Sequence, residues 1–193
     1  EYPIEVLNDA EATKFIDGSA FHLYGGDVGC LSKVKAAHPD KNLYFTEQYT
    51  NSKGTFAGDL NWHIKNLIIG ATRNWSRNVL EWNLANDANF QPHTQGGCDV
   101  CKGALTIANN TVTRNVSYYI IAHAAKFVPP DSVKINSNLT EKIGNVAFKT
   151  PNGKIVLIAQ NNSKETTSFN LKFKNRQALV TLPAGAVGTF TWN

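Results

Sequence analysis

Three short apolar stretches in the first half of the chain alternate with helical patterns, and this alternation constrains the fold more than any other feature. Strand-forming residues occupy positions 18–24, 43–47 and 78–84. Apolar residues recur every three or four positions from Phe56 to Ala71, which predicts an amphipathic helix between the second and third stretches. A shorter helix is predicted over 28–38, ending near His38-Pro39. Strand, helix, strand, helix, strand at this spacing is typical of parallel βαβ units.

The start of the chain extends the same plan. Asn8 or Asp9 is suited to cap one more helix that begins there. The chain begins with Glu1 and contains no Met, and three strands are too few to close a barrel or to form a covered doubly wound sheet. We therefore expect a piece of a longer protein whose further strands lie upstream.

The second half of the chain has a different pattern. A helix is predicted from about Asn115 to residue 127, before Pro129-Pro130. Short alternating runs follow, separated by turn residues: "NVAFKT", "KIVLIAQN", "SFNLKF", "ALVTL" and "GTFTW". This pattern predicts an antiparallel β-sandwich. The predicted fold is thus an α/β part over residues 1–127, followed by an all-β part over 128–193.

Composition excludes several classes of protein. Of 193 residues, 42% are hydrophobic and 10% aromatic, as in ordinary globular domains. No apolar run approaches the roughly 20 residues that a transmembrane helix needs. The net charge is +4, with Lys and Arg spread along the chain, whereas nucleic-acid binding favours a concentrated basic face. We expect neither a transmembrane segment nor a nucleic-acid partner.

Two of the three cysteines form the motif Cys98-x-x-Cys101. A zinc site would need two more ligands at suitable spacing, and a thioredoxin-like pair would lie between a strand and a helix. A local disulfide within a loop is the simplest interpretation, and it would indicate an oxidising compartment. Cys30 is expected to be a buried free thiol, and no metal site is expected.

Five Asn-x-Ser/Thr sequons are present, at Asn74, Asn109, Asn115, Asn138 and Asn161. In a secreted eukaryotic protein these would be glycan acceptors. A chain rich in Asn, Ser and Thr also produces sequons by chance, so both interpretations stay open.

Polar and aromatic residues follow the predicted parallel strands, where α/β proteins carry their active sites. These residues are His22, Tyr24, Glu47, Gln48, Glu81, Trp82 and Asn83. His22 and Tyr24 could instead fill the interior, Trp82 could belong to the core, and Asn83 could cap a loop. Glu47 follows the apolar run "LYFT", and a partly desolvated carboxylate is costly unless it has a partner or a function. Glu47 and Glu81 together suggest the carboxylate pair of a retaining glycosidase, whose members lie about 5–5.5 Å apart.

Four segments carry a resemblance to a known family: "DGSAFHLYGG", "NLYFTEQYT", "LIIGATRNWSRNVLEWNLANDANFQPHTQGGCDVCKGALTI" and "YYIIAHAAKFVPPDSVKI". Together, and in order, they resemble glycoside hydrolase family 30, the family of glucosylceramidases and microbial endo-β-1,6-glucanases. The resemblance implies a (β/α)8 barrel fused to a β-sandwich, with this chain supplying roughly the sixth to eighth barrel strands and the sandwich. It implies that Glu47, in "FTEQ", is the catalytic nucleophile. It implies sugar contacts from His22 and Tyr24 in "FHLY" and from Trp82 and Asn83 in "EWNLA".

The chain departs from the family pattern in one respect. The family's acid/base is a Glu after an Asn at the end of the fourth barrel strand, and that strand would precede residue 1. The resemblance therefore implies that Glu81 is a pocket-rim or structural group. It also implies a retaining β-glycosidase without cofactors, of which this chain alone would be inactive.

The resemblance further implies a β-glucan or β-glucoside substrate, with glucosylceramide as the second choice. It favours a secreted, periplasmic or lysosomal protein. An alternative of another class is a carbohydrate-binding unit without catalytic activity, in which Trp82 and the sandwich hold a glycan.

Overall fold

The structure is a computed structural model that describes residues 2–193. The chain opens with helix α1 (Tyr2–Asn8), and a short 3-10 helix follows (Ala12–Phe15). The helix predicted to begin at Asn8 or Asp9 is this short 3-10 helix, which starts at Ala12, and α1 ends at Asn8. Asp9 Oδ1 accepts hydrogen bonds from the backbone N–H groups of Glu11 and Ala12, both at 2.9 Å, and so stabilises the turn into the 3-10 helix.

The predicted parallel βαβ arrangement is confirmed. The next elements are β1 (Gly18–His22), α2 (Cys30–Ala37), β2 (Asn42–Glu47), β3 (Thr50–Asn51), α3 (Phe56–His63), its π-helical continuation (Ile64–Ala71) and β4 (Ser76–Val79). Strand β2 lies between β1 and β4 and is parallel to both. The first and third strands end earlier than predicted, at His22 and Val79, so Glu81 and Trp82 lie beyond the strand rather than within it.

The apolar period from Phe56 to Ala71 predicted only part of the buried face of α3 and its π-helical continuation. Thr55 caps it by accepting a hydrogen bond from the backbone N–H of Gly58 at 3.1 Å. Phe56, predicted to face the core, is 54% exposed. The turns widen where the helix becomes π-helical, and Ile68 and Ile69 are consequently both buried.

A loop-rich region connects the sheet to the next helix. Its elements are β5 (Ala85–Asn86), β6 (Cys101–Lys102), β7 (Leu105–Ala108), β8 (Thr111–Arg114) and α4 (Val116–Ala125). Strands β7 and β8 form a hairpin whose turn residues, Asn109 and Asn110, both have positive φ, at 49° and 58°. Asparagine tolerates this conformation better than most residues do, and two such residues suit a tight hairpin turn. The helix predicted from Asn115 is confirmed as α4.

The predicted antiparallel strands of the C-terminal part are also confirmed. They are β9 (Val133–Ile135), β10 (Ile143–Lys149), β11 (Ile155–Asn161), β12 (Thr167–Phe173), β13 (Arg176–Leu182) and β14 (Val187–Trp192). A four-stranded sheet has the order β14-β11-β10-β9, and β12 pairs with β13. Only β9 was not predicted from the sequence.

One apolar core joins the two halves of the chain. Its buried members come from the π-helical segment, α4, β10 and β11: Ile64, Ile68, Ile69, Val116, Ile120, Val146, Phe148, Val156 and Ile158. The packing is therefore continuous across residues 127 and 128, and the proposed division there stays a prediction. Within residues 2–193, each helix is too short or too polar to cross a bilayer.

Solvent exposure bears on the predictions for Cys30 and for the sequons. Cys30 is exposed, so the prediction of a buried thiol was wrong. The sequon residues Asn109 and Asn138 are exposed, whereas Asn115 and Asn161 are 7% and 0% exposed. The side-chain amides of these two residues donate hydrogen bonds to backbone carbonyls, so a glycan would suit only the exposed sequons in the folded protein.

Candidate active site

Glu47 ends strand β2, and two side chains converge on it, one from the last residue of β1 and one from the segment that follows β1. The hydroxyl of Tyr24 donates a hydrogen bond to Oε1 of Glu47 at 2.8 Å. Nδ1 of His22 lies 3.7 Å from the same oxygen. His22 pairs with Glu47 in the parallel register, so the backbone itself brings these residues together. The strand ends therefore form a carboxylate site with one hydrogen-bond donor, Tyr24, and an imidazole nitrogen close by.

His22 and Tyr24 do not belong to the interior. The side chain of His22 is 42% exposed and Tyr24 is 55% exposed, whereas the alternating residues Phe21 and Leu23 pack against the core. Burial of its hydroxyl, followed by the hydrogen bond to Glu47, raises the pKa of Tyr24. Tyr24 consequently stays protonated at neutral pH and keeps its role as the donor to the carboxylate.

The segment after β4 extends this site along the edge of the sheet. Trp82 is 49% exposed, so it is not a core residue. Its backbone N–H donates to the carbonyl of Gln48 at 2.6 Å, and Trp82 forms a parallel bridge with Tyr49. The peptide bond between Trp82 and Asn83 is cis. The exposed indole ring thus lies on the segment that follows β4, next to the strand that ends in Glu47.

Asn83 has a more enclosed position than the other predicted site residues. Its Oδ1 is buried, and a Cβ added at Gly103 would lie 2.6 Å from that atom. The backbone carbonyl of Asn83 accepts a hydrogen bond from Ala104 at 2.8 Å. This placement favours the alternative role of Asn83 in shaping the following loop, because only glycine leaves room for its amide there.

Glu81 faces away from this edge and pairs with His63, a residue that the sequence did not single out. Oε1 of Glu81 lies 2.7 Å from Nδ1 of His63, and the two side chains are only 3% and 5% exposed. Burial raises the pKa of Glu81, while the hydrogen bond with His63 opposes that effect. Glu81 is therefore a buried group packed towards α3 and not the second carboxylate of an open cleft.

Two further residues border the carboxylate site: Gln48, which the sequence grouped with Glu47, and Tyr49, which the sequence did not single out. Gln48 is 6% exposed, and its Nε2 donates to the carbonyl of Leu23 at 2.9 Å, which ties the end of β1 to the end of β2. Its Oε1 accepts from the backbone N–H of Tyr49 at 3.0 Å. The ring centroids of Tyr24 and Tyr49 lie 6.0 Å apart, so a second tyrosine borders the carboxylate site.

The predicted disulfide between Cys98 and Cys101 is present and pins the loop beside this site. Cys101 pairs with Asn51, four residues after Glu47 along the chain, in the short antiparallel contact of β3 with β6. The buried amide of Asn86 donates to the carbonyl of Cys101 at 2.8 Å. The loop is thereby fastened to the segment that leaves the carboxylate site.

The chemistry available at this edge is that of a carboxylate with aromatic neighbours. Across residues 2–193, no group of three or more His, Cys, Asp and Glu side chains is arranged to hold a metal ion. A carboxylate oriented by a tyrosine hydroxyl and bordered by exposed aromatic rings is suited to a sugar, since rings of this kind stack on its apolar faces.

Comparison with known proteins places the chain among glycoside hydrolases. Residues 131–190 match the sequence model of the glycosyl hydrolase family 30 beta sandwich domain. The endo-1,6-beta-D-glucanase neg1 of Aspergillus fumigatus is 30% identical over 186 residues, which is 91% of this chain and 36% of the glucanase. The lysosomal acid glucosylceramidase of Mus musculus is 23% identical over 205 residues, covering 97% of this chain and 39% of its own length.

Solved structures agree with the sequence comparisons. An endo-β1,6-glucanase of known structure superposes with a TM-score of 0.90 and 31% identity, covering 99% of this chain and 44% of the solved one. The chain belongs to glycoside hydrolase family 30 and matches the C-terminal portion of its members. It spans well under half the length of the relatives it matches.

Proposed function

We propose that this chain supplies the nucleophile side of the active site of a retaining β-glycosidase, with Glu47 as the nucleophile. The single observation that carries this proposal is the position of Glu47 at the carboxyl end of a parallel strand, with Tyr24 and His22 both directed at its Oε1. A hydrogen bond from a neutral tyrosine orients a carboxylate without neutralising it. The family relationship supports the same role, because its named members are hydrolases of glycosidic bonds.

The reaction proceeds by double displacement. An oxygen of Glu47 attacks the anomeric carbon, and the bond from that carbon to the leaving oxygen breaks while an acid group delivers a proton to that oxygen. The conjugate base then takes a proton from water, which attacks the same carbon and releases Glu47 as a carboxylate. His22 and Trp82 contact the sugar during both steps.

The acid/base group does not come from this chain. Glu81 is the other carboxylate beside the strand ends, and it is buried against His63. General acid catalysis contributes roughly 10²- to 10⁴-fold to such reactions. The 193-residue chain alone is consequently inactive, and the complete active site needs a carboxylic acid from the part of the enzyme that this chain does not span.

The architecture of the complete enzyme follows from the same proposal. The parallel sheet of β1, β2 and β4 represents roughly the sixth to eighth strands of a (β/α)8 barrel within residues 1–127, and residues 128–193 form the attached sandwich. The helices α2 and α3 connect successive parallel strands, as they do in such barrels. Active sites in this fold lie at the carboxyl ends of the strands, where Glu47 is found.

The substrate that we propose is a β-glucan or another β-glucoside. A β-1,6-linked glucan is favoured because the relatives with 30% and 31% identity are named as endo-1,6-glucanases. Glucosylceramide is the second choice, given the more distant glucosylceramidase. The disulfide Cys98–Cys101 supports an oxidising compartment, and we propose a secreted, periplasmic or lysosomal location.

Covalent labelling distinguishes this function from carbohydrate binding without catalysis, which the exposed rings of Trp82 and Tyr24 also suit. The enzyme that contains this chain is treated with a fluoro-glucoside that forms a slowly hydrolysed glycosyl ester. We expect the label on the peptide of residues 41–50, and no label on the Glu47→Gln variant. A label on a different peptide contradicts the assignment of Glu47, and glucan binding without any label favours the binding unit.

A further inference from the structure

The hydrogen-bonded pair of His63 and Glu81 is not explained by the catalytic steps or by stability. Its two side chains are almost fully buried, and Oε2 of Glu81 has no hydrogen-bond partner among the described residues. Burying an ionised group costs several kcal/mol, and well-packed apolar side chains of similar volume are often at least as stabilising as a buried pair. A site chosen for stability alone would therefore favour two apolar residues here.

The pair lies next to the segment that carries Trp82, the exposed aromatic residue beside Glu47. His63 is the last residue of α3, and Glu81 precedes Trp82 in the segment that follows β4. The backbone N–H groups on either side of Glu81, those of Leu80 and Trp82, donate to carbonyls of Phe45 and Gln48 at 3.0 and 2.6 Å. The segment is thus held along the end of β2. Rotation of the segment about its own long axis decides where the indole ring points.

The side-chain directions of Glu81 and Trp82 are coupled, because side chains alternate along an extended segment. Neighbouring residues in an extended segment point to opposite sides, so a Glu81 fixed towards α3 leaves Trp82 on the opposite side, where it is 49% exposed. The 2.7 Å hydrogen bond is directional, unlike an apolar contact, and fixes one orientation of the segment.

We propose that His63 and Glu81 are positioning residues that orient the indole ring of Trp82 towards a sugar bound at Glu47. This inference rests on the proposed function, in which Trp82 contacts the sugar. Neither residue touches the substrate; they act through the backbone of the segment that carries Trp82. Burial raises the pKa of Glu81, and the hydrogen bond with His63 is the main interaction that offsets the loss of water around its carboxyl group.

The decisive variant replaces both partners, His63→Leu together with Glu81→Leu, in the enzyme that contains this chain. Kinetics of labelling by the fluoro-glucoside separate the inhibition constant KI from the maximal rate of attack by Glu47. We expect KI to rise about tenfold, because loss of orientation weakens sugar binding, with a maximal rate within about twofold of the native value. The thermal midpoint is expected to stay level or rise, because the buried polar pair is gone.

Two matched variants complete the experiment. Glu81→Gln keeps an oxygen acceptor for His63 and is expected to retain KI within about twofold. His123→Gln changes another partly buried histidine, whose Nδ1 lies 2.9 Å from Oγ1 of Thr189 at the contact of α4 with β14, and should leave KI unchanged.

Each outcome decides the matter. A native KI in the folded double leucine variant overturns the positioning role while leaving Glu47 as the nucleophile. If the native enzyme takes no label at Glu47, the proposed function itself fails. Where the double variant does not fold, Glu81→Met replaces it: the proposal predicts a KI well above that of Glu81→Gln, and equal values overturn it.

Discussion

The parallel sheet and the four-stranded sandwich sheet differ in how regularly their strands pair. Strands β10 and β11 pair through seven successive residues without a shift, and β11 pairs with β14 in the same regular way. The parallel sheet is irregular at two places: the register shifts between Phe21 and His22 on β1, and between Leu43 and Phe45 on β2. The first shift places His22 opposite Glu47.

Buried polar groups, in contrast, do not distinguish the two regions. In the sandwich, the buried amide of Asn161 donates to the carbonyls of Glu165, Leu182 and Pro183 at 2.7 to 3.0 Å, so it stabilises a turn. Near the parallel strand ends, Oε2 of Glu81 and Oδ1 of Asn83 are buried without partners, and in the sandwich the same holds for Oδ1 of Asn145, Oε1 of Gln160 and Nε1 of Trp192. Irregular strand pairing therefore distinguishes the candidate site, whereas buried polar atoms without partners occur in both regions.

The largest effect is expected from Glu47→Gln. Loss of the proposed nucleophile should lower the turnover of the enzyme that contains this chain by at least about 10⁴-fold, because the glycosyl ester of the proposed mechanism no longer forms. The free energy of unfolding should change little, since the side chain is about one-third exposed (32%). Steady-state kinetics and urea unfolding check both expectations. Native turnover of the variant would contradict the proposed role of Glu47 as the nucleophile.

Ile158→Ala tests the structural side. Ile158 is fully buried in the core that joins the sandwich to α4 and the π-helical segment. We expect the free energy of unfolding of the chain to fall by about 3 kcal/mol, through lost burial and a residual cavity. Because the core is shared, circular dichroism of the helices and fluorescence of Trp192, measured with Trp62, Trp75 and Trp82 replaced by Phe, should report one coincident transition. Separate transitions for the two probes would show that the halves unfold independently.

Removal of the disulfide, as Cys98→Ser with Cys101→Ser, is expected to have a smaller effect. The bridge closes a ring of only a few residues, since the cysteines are three positions apart, so it restricts the unfolded chain little. Loop-closure entropy gives about 2 kcal/mol for such a ring. Limited proteolysis should cut the variant within residues 87–100, and an unchanged cleavage pattern would show that β3–β6 pairing alone holds the loop.

Tyr24→Phe should give the smallest change in this series. The variant loses the hydrogen bond to Glu47 but keeps the ring, and the site is partly exposed, so we expect about a tenfold lower rate of labelling at Glu47. Tyr44→Phe is a matched control, since its hydroxyl donates to Asp17 at the opposite end of β2. Equal effects of the two substitutions would assign the loss to the stability of the sheet.

The sequence predicted the elements better than the contacts between them. Alternating and helical patterns located the parallel strands, α4 and five of the sandwich strands, because each pattern is local. The pairing of His63 with Glu81 joins residues 18 positions apart, and no local pattern indicates it. The same is true of the contact between Gln48 and Leu23. The wrong placement of Phe56 has a physical cause: it is the first residue of α3, and a helical period does not show how far the core extends towards the end of a helix.

For the candidate site, too, the sequence indicated positions set by local pattern better than contacts between distant residues. Residues at strand ends were found because parallel strands bring their carboxyl ends to one edge, which explains Glu47, His22 and Tyr24. Asn83 was grouped with them by its position in "EWNLA", although the structure packs its amide against Gly103. Tyr49 was overlooked because one residue beyond a strand end gives no indication of which way the side chain points.

The shared apolar core limits how this family can be recombined. A cut after Phe127 would separate Ile120 and Ile68 from Val156 and Ile158 and uncover an apolar surface on both products. Exchange of sandwiches between relatives therefore requires that the matching faces of α4 and the π-helical segment be transferred with them. In this protein the sandwich is not an interchangeable module on a linker: it forms one wall of the interior on which the parallel-sheet half is built.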